Sequence, residues 1–158
     1  AKSLGTEVTG VCSTRNVDMV RSIGADHVID YTREGFTEGA QRYDVILDNV
    51  GNHSLLETRR ALKPGGIIVM VSGPKHDPWL GPISRVMHAA VLSPFVDEEM
   101  VKFFADLNQD DLNVLGDLVR AGKVTPVIDR RYALSEVPEA IRYLGTGRAR
   151  GKVVVGLE

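Results

Sequence analysis

Four consecutive residues, Ser13-Thr14-Arg15-Asn16, could do chemistry. They follow a short strand-like run, "EVTGV" (7–11), and open a helical pattern. Two hydroxyls and a guanidinium can hold a phosphate, because arginine brings charge and several fixed donors. A carboxylate at this place would accept a ribose 2′-hydroxyl and repel a 2′-phosphate. The turn carries none, running Cys12-Ser13-Thr14-Arg15 instead. The plainer reading is that Ser13 or Thr14 caps the helix and Arg15 is solvated. On local pattern alone the plainer reading is favoured, and both can hold, since a helix N-terminus attracts anions.

Two further turns sit at strand ends. Asp48-Asn49-Val50-Gly51 can offer amide and backbone groups to a ribose or a nicotinamide, or be an Asx turn with a positive-φ glycine. Ser72-Gly73-Pro74 poses the same choice, and its place at a strand end tips it toward function. Other chemistries find little footing. The nearest approach to a phosphate loop, "GTGRARG" (145–151), follows a helix and precedes a strand, the reverse of the required order, and reads as a helix stop and linker. The chain contains no GxxxxGK[ST], no GxSxG, and no tyrosine with a lysine four residues on. His27, His53, His76 and His88 are scattered, so surface or cap roles are expected and metal binding is not. Trp79 suits a pocket wall or a core edge equally, and Asp97-Glu98-Glu99 reads as a solvated run.

The elements that position these turns follow from periodicity. Strands are expected at 7–11, 27–30, 43–48, 67–71, 100–105, 126–130 and 151–157. "YDVILD" (43–48) is almost wholly apolar, which suits a strand buried on both faces. The first helix places Val17, Val20 and Ile23 on one side before Gly24, and 33–41 is a weak helix carrying two glycines. The next has Asn52 as cap, Leu55, Leu56, Arg59 and Leu62 in a stripe, and Pro64-Gly65-Gly66 as a stop. A short helix gathers Ile83, Val86, Met87, Ala90 and Val91. The strongest has Asp110 as cap, turns Leu112, Leu115, Leu118 and Val119 inward, and ends at Gly122. The last has Ser135 as cap, Pro138 in its first turn and Gly145 as stop. The alternation predicts an α/β fold, an open parallel sheet with ligands at the carboxyl ends of its strands: Cys12–Asn16, Asp30–Thr32, Asp48–Gly51 and Ser72–Pro74.

The totals agree. The chain has 158 residues, 43% hydrophobic and 25% charged, which suits one domain with a core. A net charge of −2 marks neither a nucleic-acid binder nor a partner for anionic membranes. One cysteine excludes an internal disulfide and suits a reducing compartment, so a cytoplasmic site is expected. No apolar run is long enough to span a bilayer, and the first residues carry no signal-peptide pattern.

The segments "EVTGVCSTRNVDMVRSIGADHVIDY", "YDVILDNVG", "ALKPGGIIVMVSGP" and "DDLNVLGDLVRAGKVTPVIDRRYALSEVPEAIRYLGTGRARGKVVVGL" closely resemble the medium-chain dehydrogenase/reductase superfamily, in its quinone-oxidoreductase-like, usually zinc-independent branch. The resemblance covers nearly the whole chain, and its C-terminal run is the most specific piece. It implies a doubly wound Rossmann-like sheet, NADP as cofactor, and hydride transfer to a small-molecule quinone or α,β-unsaturated carbonyl. Residues 1–124 would be a partial nucleotide-binding domain, and 125–158 a segment that in the family returns to the catalytic domain. Ser13 and Arg15 match the turn that contacts the 2′-phosphate, with Asn16 where many members have lysine. Tyr31 matches a tyrosine near that phosphate or the adenine. Asn49, Val50 and Gly51 match the ribose segment, Ser72 and Gly73 the nicotinamide loop. Arg148 lies near a basic cofactor contact, across an alignment gap.

The family's first strand and glycine-rich loop have no counterpart in the chain, which resembles the C-terminal part of such an enzyme. No catalytic residue and no metal ligand is therefore assigned, and the chain alone is expected to be inactive and to bind NADPH weakly. In the order 3-2-1-4-5-6 the absent strand would leave a slot of about 10 Å between two unpaired edges. Another chain, an upstream fragment or "GKVVVGL" is expected to fill it. The resemblance also implies a homodimer paired along strand 100–105. The alternatives are a non-catalytic nucleotide-binding or dimerisation module, a zinc-dependent alcohol dehydrogenase, and, less favoured, a methyltransferase.

Overall fold

The computed structural model describes residues 1–71, 99–102 and 108–157. The chain divides into two compact units, Ala1–Ile29 with Leu107–Glu158, and Asp30–Asp106.

In the first unit, β1 (Thr9–Cys12) pairs with β2 (His27–Asp30). A 3-10 turn (Thr14–Asn16) leads from β1 into α1 (Val17–Ser22). Glycine at position 10 lets that helix lie directly on the strand: a Cβ there would stand 2.5 Å from Val20 Cγ1. Lys2 binds the Asp26 carboxylate at 2.8 Å, and Asp26 accepts the Val8 N–H at 2.7 Å, which ties the turn before β2 to the approach to β1. The unit also holds α3 (Gln109–Arg120), β6 (Ile128–Ala133), α4 (Val137–Gly145) and β7 (Lys152–Gly156). β6 and β7 run parallel, with Arg131 opposite Val154 and Tyr132 opposite Val155. The terminal strand therefore pairs with β6, and the idea that it fills the slot of an absent strand is corrected.

In the second unit, β3 (Tyr43–Asp48), β4 (Leu62–Met70) and β5 (Glu99–Lys102) form a parallel sheet in that order. Between β3 and β4 lies α2 (Leu55–Arg60). Its start is a capping box: Ser54 Oγ accepts the Glu57 N–H at 3.2 Å and Glu57 Oε2 accepts the Ser54 N–H at 2.9 Å. Leu55, Leu62, Ile68 and Met70 form the core, with Ile46 packed against them. Among the described residues β5 stands at the sheet edge. The rest of that expected strand, 103–105, lies outside the described residues, as do Ser72, Gly73, Pro74, Trp79, His76, His88 and the expected helix around Ile83–Val91.

Several local expectations are corrected. β3 is covered on one face only: Ile46 is half-buried, whereas Val45 and Leu47 are 56% and 59% exposed. Residues 33–41 form turns, in keeping with the helix-weakening Gly35 and Gly39. Ser54, not Asn52, caps α2, and Leu56 faces outward. Pro64-Gly65-Gly66 does not stop the chain but lies within β4, where the register jumps from Tyr43–Leu62 to Val45–Ile67. Asn108, not Asp110, caps α3 by accepting the Asp111 N–H at 2.8 Å. Leu112, Leu115 and Val119 are exposed on that helix, because an amphipathic stripe marks a face suited to burial without supplying its partner. Ser135 sits within a 3-10 turn, and Glu136 accepts the Ala133 N–H at 2.8 Å to shape the entry to α4.

Candidate functional site

The carboxyl end of β1 is where backbone and charge converge. Ser13 is extended, and its carbonyl accepts the Asn16 N–H at 2.8 Å, closing the 3-10 turn. Neither Ser13 nor Asn16 gives its helix a side-chain cap, so capping does not account for the Ser13 hydroxyl. Arg15 is exposed, and its Nη2 donates to the Arg148 carbonyl at 3.2 Å. Arg150 answers from the other side: Nε donates to Asn16 Oδ1 at 3.0 Å and Nη2 to the Arg15 carbonyl at 2.8 Å. The turn and the arginine segment are thus joined from both sides, by Arg15 reaching out to the Arg148 carbonyl and Arg150 reaching back to the turn. The Arg148 side chain has no partner among the described residues.

The arginine segment is itself anchored. Gly147, at φ 65°, ends α4 with its N–H on the Leu144 carbonyl, and the Arg148 N–H reaches Thr146 Oγ1 at 3.3 Å. Asp129, on β6, accepts the Arg150 N–H at 2.9 Å and the Tyr143 hydroxyl at 2.6 Å. The Arg130 guanidinium lies 3.7 Å from the centre of the Tyr143 ring. The Tyr143 hydrogen bond, then that from Arg150, holds the Asp129 carboxyl below its ordinary value of 3.8, while the same bond raises the Tyr143 phenol. A carboxyl lowered on folding stabilises the fold above its unfolded pKa and loses that contribution as pH falls through the folded value. The melting temperature of Asp129→Asn should lie below the wild type's by a constant margin down to about pH 5 and converge with it below about pH 3. A margin unchanged to about pH 2 would show that the charge is not what matters.

In the second unit, Tyr31 follows β2 and is 61% exposed. The buried Asp30 shapes its loop: Oδ1 accepts the Thr32 N–H at 3.0 Å and the Thr32 hydroxyl at 2.7 Å, and Oδ2 lies 3.5 Å from Arg33 Nε. The turn after β3 takes the plainer form: Asp48 Oδ1 accepts the Val50 and Gly51 N–H groups at 3.2 and 2.7 Å, with Gly51 at φ 69°. That Asx turn holds Asn49 and Val50 exposed at the strand end. His53 meets Phe36 edge-on at 5.0 Å, and His27 lies 2.8 Å from Glu7, both plain structural roles. Sequence reasoning missed Arg150 and Asp129. Their only signal was the doubled arginine of "GRARG", read locally as a linker.

A family profile described as zinc-binding dehydrogenase matches residues 23–155. The chain belongs to that family. It is a member of the medium-chain dehydrogenase/reductase superfamily, and its fold is the Rossmann-like doubly wound parallel sheet without the first strand and glycine-rich loop. An NADPH-dependent alkenal/one oxidoreductase of Arabidopsis thaliana, described as chloroplastic, is 33% identical over 95% of this chain and 33% of its own length. A 2-methylene-furan-3-one reductase of Solanum lycopersicum is 32% identical over the same shares. The structure of a quinone oxidoreductase from Coxiella burnetii superposes with a TM-score of 0.79 and 30% identity, covering 100% of this chain and 47% of that one. The chain thus spans a third to about half of the length of these relatives. Among the described residues no three His, Cys, Asp or Glu side chains are placed together to hold a metal ion. Nor is any described helix long and apolar enough to cross a membrane.

Proposed function

We propose that the chain supplies part of the cofactor site of an NADPH-dependent oxidoreductase that reduces quinones or α,β-unsaturated carbonyls. The observation that carries this reading is the acid-free turn after β1, framed by Arg15, Arg148 and Arg150. A 2′-phosphate needs positive charge and donors where a 2′-hydroxyl needs an acceptor, and the turn offers the former. Among the described residues the Ser13 hydroxyl and the Arg148 side chain stand uncommitted for that contact; in the second unit, the resemblance sets the exposed Tyr31 near that phosphate or the adenine. In the second unit, Asn49, Val50 and Gly51 are set near the ribose by the family resemblance alone, with the Val50 and Gly51 N–H groups held by Asp48. When bound, the dihydronicotinamide supplies the hydride. The chain's share of catalysis is to hold that cofactor in place.

The pyrophosphate cradle is not in this sequence, so affinity is expected to be low. In a fluorescence titration of this chain, NADPH should bind more weakly than micromolar yet roughly tenfold better than NADH, a difference of about 1.4 kcal/mol. Equal affinities for the two nucleotides would refute the assignment of the turn.

A further inference from the structure

Arg150 frames the turn without being assigned a contact to the cofactor, and among the described residues it makes the longest-range side-chain contacts of the unit, to Asn16 and Arg15, 134 and 135 residues away. Its two donors point at two different acceptors on one turn, a side-chain amide oxygen and a backbone carbonyl. That fork fixes where the turn lies. The return contact, from Arg15 to the Arg148 carbonyl, locks the two segments from both sides. Behind them, Asp129 grips the Arg150 N–H and is itself held by Tyr143.

We propose that Arg150 is a positioning residue for the 2′-phosphate: it clamps the Ser13–Asn16 turn to the C-terminal segment, so that Ser13 and Arg148 face the same anion. The inference rests on the NADPH reading above. It assigns the C-terminal segment a second task besides any return to a catalytic domain, that of setting nucleotide specificity. Arg150 has both its clamp donors engaged by protein atoms, so its part in recognition is indirect and depends on fork geometry. A lysine, whose single ammonium on a flexible stem lacks the planar fork, would keep the charge and lose the clamp.

The test uses the whole chain and two probes, adenosine 2′,5′-bisphosphate and adenosine 5′-monophosphate, titrated into nitrogen-15-labelled protein and followed by NMR. Wild type should favour the bisphosphate by roughly tenfold or more. Arg150→Lys should bring that ratio close to one, leave the monophosphate affinity unchanged, and leave the fold intact by its backbone spectrum. Asn16→Ala, which removes one acceptor and no charge, should lower the ratio in the same direction. It also serves as the test if the lysine variant does not fold.

A ratio that survives both substitutions overturns the positioning role while leaving the NADPH reading standing. An equal loss of both affinities shows a merely structural residue and overturns it as well. A wild-type ratio of one overturns both readings together.

Discussion

Ile68→Ala is expected to destabilise the second unit by about 2–5 kcal/mol, the range for truncating a buried branched side chain. Ile68 is fully buried on β4, between β3 and β5, with Ile46 and Met100 as its register partners. Leu55, Leu62 and Met70 complete the cluster. A central strand held by hydrogen bonds on both sides cannot move inward to close a cavity, so the upper part of the range is favoured. Leu47→Ala, one strand away and 59% exposed, is the control and should change stability by about 0.5 kcal/mol or less. Urea unfolding followed by circular dichroism measures both. An Ile68→Ala loss below about 1 kcal/mol would mean that the cluster is not the stabilising centre.

Placing a carboxylate on the turn after β1 should reverse the nucleotide preference proposed for it. Ser13→Asp puts a negative charge at the extended residue where the turn begins, beside the exposed Arg15. A carboxylate accepts from a 2′-hydroxyl and repels a 2′-phosphate, and like charges brought together in a binding site cost several kcal/mol. An exposed turn is screened by salt, so the expected loss is smaller, about 2 kcal/mol or roughly thirtyfold in NADPH affinity at low ionic strength. NADH binding should hold or improve. The difference should shrink as salt is raised, which separates a charge effect from a packing one. Isothermal titration with both nucleotides at two salt concentrations reads all of this. NADPH affinity indifferent to Ser13→Asp would remove the turn from the site.

Some of this was legible before any coordinates. The runs "HVID" and "YDVILD" become β2 and β3 with the same boundaries, because bulky apolar residues flanked by turn formers leave the chain few options. The Asx turn at Asp48 is also local, a carboxylate reaching backbone groups two and three residues on. Misreadings arose where a residue's role depended on distant partners. Pro64-Gly65-Gly66 spells a stop, but pairing with β3 carries the strand through it. The stripe of α3 advertises a buried face without saying whether the rest of the chain covers it. Arg150 was invisible for the same reason: two arginines before a strand look like a solvated linker until the fold brings Asn16 beside them. For Ser13 and Arg15 the local pattern favoured capping and solvation, and their place beside a phosphate rests on the family resemblance, although neither Ser13 nor Asn16 caps its helix with a side chain.

The clasp between Asn16 and Arg150 has a temporal consequence. Closing a loop of 134 residues costs about 4 kcal/mol in chain entropy beyond a length-independent constant, and nothing near Asn16 in sequence can stand in for the distant arginine. During translation at about 5–20 residues per second, the turn after β1 would wait roughly 7 to 27 seconds for Arg150 to be made. The second unit, Asp30–Asp106, lies wholly within that interval and can assemble first. The side of the site proposed to distinguish one nucleotide from the other is then completed late in synthesis, and a chain stalled before Arg150 would carry the turn without its clamp.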